Sequence, residues 1–177
     1  MSNQTQSSGA VPSTAPALAR AIYALVRLAS AISVLAILVA LGFTLIAVFW
    51  RYALSDPLLW PEDVTGWTLV GLIMLGIAEA YRRGDHIAID LLVDTLPKRV
   101  KPVQMLWSHL AVLTFSVVLG LSAWEAVHFA HGFGSYTSGN VEIPSWIPQA
   151  PMVLGSMLLG LTAVAKIIEI FFGKRPA

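Results

Sequence analysis

The residues best equipped for chemistry are few. Glu125, His128 and His131 stand three apart, so a helix places them along one edge, where a zinc ion would find nitrogen and carboxylate ligands. The alternative is a wet helix end with ordinary polar side chains. His109 lies inside an apolar run, and a haem held between axial imidazoles would need a second histidine facing it at matched depth. His128 and His131 fall at the far end of the same helix and His86 in a polar break, so no such pair is easily formed. The chain has no cysteine, which removes thiolate metal sites and disulfides. It also lacks a phosphate loop, a nucleophile elbow and an H-E-x-x-H pattern. No enzyme activity, cofactor, metal, catalytic residue or substrate-binding residue is therefore expected.

The elements that must position these residues are membrane helices. Of the 177 residues 56% are hydrophobic and 12% charged, with a mean hydropathy of +0.74, too little charge for the surface of an ordinary soluble globule. Three charge-free runs of 23 residues, Leu28–Trp50, Pro102–Trp124 and Ile143–Ala165, are each about 34 Å long as helices, against roughly 30 Å of hydrocarbon. A fourth span runs from Pro61 to Tyr81. Pro61 suits a first helical turn, Glu62 and Asp63 complement the positive helix end, and Tyr81 closes the opposite interface. Glu79 lies within one turn of Arg82 and Arg83, where an ion pair or snorkelling spares it burial as a lone charge. The expected fold is an all-α integral membrane protein with four transmembrane helices at about 28–50, 61–81, 102–124 and 143–165.

Charge sets the expected orientation. The stretch EAYRRGDHIAIDLLVDTLPKRVK, residues 79–101, holds five of the eleven Lys and Arg. Arg20 and Arg27 precede the first span, and Lys166, Lys174 and Arg175 follow the last. The other two connections contain only Arg51, beside Asp56, Glu62, Asp63, Glu125 and Glu142. The positive-inside rule then places both termini in the cytoplasm. Ile89, Leu92, Val93 and Leu96 recur at helical spacing and predict a short amphipathic interfacial helix over about 87–96, ended by Pro97. The lead-in ALARAIYALVR repeats the pattern through Leu18, Ile22, Leu25 and Val26, as an interfacial anchor. Residues 1–17 have no periodicity and read as a disordered cytoplasmic tail ahead of a single membrane domain over 18–177. The first apolar run is too long for a signal peptide core and is read as an uncleaved helix.

Transport chemistry within a membrane normally needs ionisable or broken-helix positions near mid-bilayer. The span centres contain no Asp, Glu, Lys or Arg, so a substrate pathway is not expected in this chain. Small residues recur four apart instead: Ala36 and Ala40, Gly76 and Ala80, Ser116 and Gly120, Ser156 and Gly160. That spacing lets helices pack closely. The profile suits an accessory subunit.

Several short motifs sharpen it. Arg51-Tyr52 after the first span, Trp60-Pro61-Glu62-Asp63 opening the second, Gly76 within it, then Gly84-Asp85-His86-Ile87, Asp90 and Leu96-Pro97 together resemble the small membrane subunit of tripartite ATP-independent periplasmic (TRAP) transporters. The resemblance runs from about Leu28 to Phe172. Where that family usually has two glutamates after the tryptophan, this chain has Glu62 and Asp63, so one acid is shortened. The resemblance implies residence in the bacterial inner membrane and a division of labour. A periplasmic protein captures an organic acid, a large polytopic subunit carries it with sodium, and the small subunit braces the scaffold. The implied partners are that large subunit, transiently the binding protein, and membrane lipid, with no nucleic acid. Arg51, Tyr52, Trp60, Glu62, Asp63, Gly76, Gly84, His86 and Asp90 become candidates for interface or structural roles. Trp60, Glu62 and Asp63 either lock the start of the second helix or meet the large subunit. Gly84, His86 and Asp90 shape the turn into the interfacial helix. The outer connection HGFGSYTSGNVEIPSWIP either closes the bundle or touches the binding protein. Two other classes stay open: a small subunit of the tripartite tricarboxylate transporters, and a haem-carrying electron-transfer subunit.

Overall fold

A computed structural model describes residues 17–84 and 101–172. The amphipathic helix expected over 87–96, with His86 and Asp90, lies outside the described residues, as does the expected tail up to residue 16. Among the described residues the chain is all-helical: α1 (Ala17–Ala53), α2 (Trp60–Arg83), α3 (Lys101–Phe133) and α4 (Trp146–Phe172). All four are long and apolar enough to cross a membrane.

The helix limits differ from the charge-free runs in ways that have physical causes. The lead-in is no separate anchor, because α1 continues through it without a break for 37 residues, about 55 Å. Its apolar side is covered by protein: Ala19, Ile22, Tyr23 and Val26 are buried against Ala78 of α2 and Ala165 of α4, while Leu18 and Leu25 are exposed. α3 runs on to Phe133, so Glu125, His128 and His131 stand on a helix. α4 starts at Trp146 rather than Ile143 and continues through Lys166 and Glu169, since long polar side chains near a helix end can find partners without ending the helix. Pro151 is accommodated inside it. α2 begins as expected, with proline in the first turn and Glu62 and Asp63 beside it. It ends at Gly84, whose φ of 80° is left-handed and whose N–H reaches the Ala80 and Tyr81 carbonyls, a conformation that glycine adopts without a Cβ penalty.

α1 packs on α2, α2 on α4 and α4 on α3, with a lesser contact between α1 and α4. α3 is thus an edge helix held chiefly by α4. Small residues set the crossings, as the fourfold spacing suggested. An added Cβ on Gly120 would come 3.1 Å from the Ser156 hydroxyl and one on Gly160 would come 2.9 Å from the Ser116 hydroxyl, a reciprocal contact between α3 and α4. Gly76 faces Ser33 of α1, whose hydroxyl donates to the Leu72 carbonyl at 2.6 Å. The tightest helix crossing is at Gly155 of α4, where a Cβ would collide with the backbone of Met74 in α2. Such contacts replace the hydrophobic drive that lipid cannot supply.

Candidate functional site

The bundle has two polar ends. One, the termini end, is where the described chain enters α1 and leaves α4. The other, the loop end, has the α1–α2 and α3–α4 connections.

At the loop end the α3–α4 connection is a small closed hairpin. Tyr136 and Pro144 form an antiparallel bridge. The Thr137 N–H donates to Ile143 O at 2.9 Å and the Ser145 N–H to Ser135 O at 2.8 Å. The Thr137 hydroxyl donates to Val141 O at 2.7 Å and accepts the Ile143 N–H at 3.1 Å. This hairpin is fastened to the start of α2, because the Asp63 carboxylate accepts the Val141 N–H at 3.0 Å and the Asn140 amide donates to Leu59 O at 3.4 Å. Gly139 makes the approach possible, since a Cβ there would come 2.5 Å from the Asp63 carboxylate. Trp60 meets Phe43 of α1 edge to face, with ring centroids 5.6 Å apart, a favoured aromatic geometry. Of the two first-turn acids, Asp63 is a lock. Glu62 is exposed and faces a cleft of 480 Å³ between the end of α1 and the start of α2, which Arg51 and Tyr52 also line.

The termini end holds a polar network that the candidate residues did not foresee. Glu79 is almost fully buried and takes two hydrogen bonds from Arg82, at 2.6 and 2.8 Å, and one from Arg83 at 2.8 Å. This is the ion pair expected from their spacing. The Arg82 guanidinium also lies over the ring of Tyr23, 5.7 Å from its centroid. The Tyr81 hydroxyl bonds His109 Nδ1 of α3 at 2.6 Å. Lys166 reaches across from α4 to donate to the Tyr81 carbonyl at 2.5 Å, with its ammonium 4.5 Å from the Tyr81 ring centroid. Side chains from all four helices therefore meet around the last turn of α2, and Lys166 supplies a second cap to the carbonyls that Gly84 caps from the chain.

Of the candidates, Arg51, Tyr52, Trp60, Glu62 and Asp63 gather at the loop end. Gly76 is a helix contact in mid-span, and Gly84 caps α2 at the termini end. Sequence reasoning placed Tyr81 at an interface and Lys166 after the last span but missed their contact, and it missed Gly155 altogether. Lys166 had a legible signal, an ammonium one residue beyond an apolar run, where ionisable side chains find a specific partner. Gly155 had none, because nothing local marks which glycine of a helix meets a neighbour's backbone. His109, the histidine weighed for haem, is engaged by Tyr81. His131 stacks edge-on with Trp146 at 6.0 Å. Among the described residues no three His, Cys, Asp or Glu come together as metal ligands.

Residues 40–173 match the family described as tripartite ATP-independent periplasmic transporters, DctQ component. The small permease protein DctQ of the C4-dicarboxylate TRAP transporter of Vibrio cholerae is 25% identical over 101 residues, 56% of this chain and 44% of that protein. The protein of the same name from Rhodobacter capsulatus is 29% identical over 104 residues, 58% of this chain and 44% of its own. The sialic acid TRAP transporter permease protein SiaT of Haemophilus influenzae is 30% identical over 60 residues, 34% of this chain and 10% of that protein. The chain spans less than half the length of each of these relatives. The family match decides between the two tripartite transporter classes that the sequence left open. With four spans and this match over most of its length, the chain belongs to the DctQ-component family of TRAP transporters, a multi-pass component of the inner membrane and not an enzyme.

Proposed function

We propose that this chain is the non-catalytic scaffold of a secondary transporter that imports small organic acids with sodium. Its partners are a large polytopic membrane subunit, which carries the substrate, and a periplasmic binding protein that delivers it. The observation that carries this reading is where charge stands: the ionisable side chains of the described helices gather at the two ends, and the networks they form are internal braces. A helix bundle without charge at its centre suits a subunit that supports a pathway rather than lining one. The SiaT relative adds support, since there the matching segment is a tenth of one permease chain, as expected of a segment that works against a larger membrane body. Two relatives are named for C4-dicarboxylates and one for sialic acid, all acids, which supports the substrate class.

In this reading both termini are cytoplasmic, and the loop end, with its locked hairpin and its Trp60–Glu62 corner, faces the periplasm and the binding protein. The test is to tag the chain, solubilise native membranes in mild detergent and identify what co-purifies. One large polytopic protein in near-equal amount, with organic-acid uptake lost on deletion of the chain and restored on its return, is the expected result. Recovery of the chain alone, or with a redox complex, overturns the proposal.

A further inference from the structure

The cleft at the loop end is built unlike the rest of the bundle. Past Ser33, no residue of α1 is buried, and beyond the Phe43–Trp60 contact a cleft of 480 Å³ lies open between the last turns of α1 and the start of α2. That volume is in the range of small-molecule sites, roughly 300–1,000 Å³. Ala47 and Val48 line it along α1, and Pro57 and Leu58 line it from the connection. Arg51 belongs to the last turn of α1 and Glu62 to the first turn of α2. Both line the cleft, and among the described residues neither has a hydrogen bond or an ion pair, with each other or with any other group. Trp50, Tyr52 and Trp60, all at these helix ends and all exposed, set the depth at the headgroup layer, where amphipathic aromatic rings settle.

We propose that this cleft binds one phospholipid with a phosphoethanolamine headgroup. Arg51 presents a planar fork of donors that matches phosphate oxygens, and Glu62 accepts the N–H groups of the primary ammonium. One acyl chain lies along the apolar lining of α1. Headgroup chemistry selects this occupant over its competitors. An anionic phosphatidylglycerol or a free dicarboxylate would satisfy Arg51 but set its own negative charge against Glu62. A choline headgroup would offer Glu62 no N–H to accept. The inference rests on the membrane reading alone and stands whether or not the transporter assignment holds.

The experiment is native mass spectrometry of the full chain, released from nanodiscs made with equal parts of phosphatidylethanolamine and phosphatidylglycerol. The wild type is expected to retain one phosphatidylethanolamine in preference to phosphatidylglycerol. In Glu62→Gln the preference should fall about tenfold, the scale of one hydrogen bond to a charged group. In Arg51→Ala retention of both lipids should fall, and Arg51→Lys should keep part of it. Because both side chains are exposed and unpartnered, neither change removes a fold contact. Equal retention of the two lipids by the wild type overturns the proposal, as does a preference that survives Glu62→Gln. A photo-crosslinker at Val48 that captures polypeptide rather than lipid in native membranes also overturns it, by giving the cleft to a protein partner.

Discussion

The two ends of the bundle solve the same problem in opposite ways. Each must bring charged side chains to a membrane boundary. At the termini end a group of charges is turned to internal use, with Glu79 between Arg82 and the more exposed Arg83, and Lys166 on the Tyr81 carbonyl, while Tyr23 and His109 close the ring of four helices and Arg20 and Arg27 of α1 stay exposed. At the loop end, a single carboxylate, Asp63, is used internally, and Arg51 and Glu62 are left beside an open cleft. Buried residues of α1 stop at Ser33, within the half that belongs to the closed end. The difference separates what holds the bundle together from what remains available to lipid or a partner.

The comparison breaks most severely where backbones touch. Gly155 of α4 lies so close to Met74 of α2 that no side chain fits. Gly155→Val should force the two helices apart, at a cost of about 3 kcal/mol or more, the upper range for overpacking. The expected outcome is aggregation of the detergent-solubilised chain on size exclusion. A monodisperse Gly155→Val protein with unchanged thermal stability would show that the α2–α4 crossing is looser than it looks. Glu79→Ala comes next. It leaves Arg82, whose side chain is 10% exposed, without its carboxylate, and losing one partner of a largely buried pair costs about 3 kcal/mol. Glu79→Gln keeps an acceptor and should lose less. Thermal melting in detergent would rank the three proteins, and the proposed closed end requires wild type above Gln above Ala.

Tyr81→Phe probes the Tyr81–His109 bond of the same network. It removes the hydroxyl that meets His109 while keeping the ring under Lys166, and should cost about 1 kcal/mol. A double change with His109→Ala separates the bond from the packing: if the two effects add without coupling, the hydrogen bond contributes nothing and apolar packing carries the contact of Tyr81 with α3.

How much of this was legible in the sequence follows from what each feature depends on. Four spans were visible, three because lipid demands a minimum apolar length that charge-free runs meet, and the fourth because Pro61, the two acids and Tyr81 mark the ends of a shorter apolar run. The Glu79 pairing was visible because it is local, one helical turn in extent. Small residues four apart indicated close helix contact, and Ser116, Gly120, Ser156 and Gly160 do meet. The helix limits were less legible: α1 and α4 extend past the apolar runs because neighbouring helices, rather than lipid, receive the extra turns. Contacts across the bundle, such as Lys166 to Tyr81 or Gly155 to Met74, depend on which helices are neighbours, and no spacing along one chain encodes that. The same limit explains why Glu62 and Asp63 read as one corner, although only Asp63 meets the hairpin.

That adjacent pair gives the most local expected effect and the finest test of the comparison. Asp63 accepts the Val141 N–H, and Glu62, one residue earlier in the same turn, has no partner among the described residues. Asp63→Ala should loosen the hairpin on α2, leaving the weaker Asn140–Leu59 bond, without unfolding the bundle, because the bonds between Thr137 and Ile143 and between Ser135 and Ser145 stay intact. The expected loss is about 1 kcal/mol, and it is local. Amide exchange at Val141 should rise severalfold, while exchange in α2 and α4 beyond their loop-end turns stays unchanged. Glu62→Ala should leave Val141 as protected as in the wild type. If both changes deprotect Val141 equally, the first turn of α2 acts on the hairpin through its summed charge rather than through one hydrogen bond. The contact of α2 with Val141 would then rest on the charge of the turn, and Glu62 would no longer be free to serve the cleft.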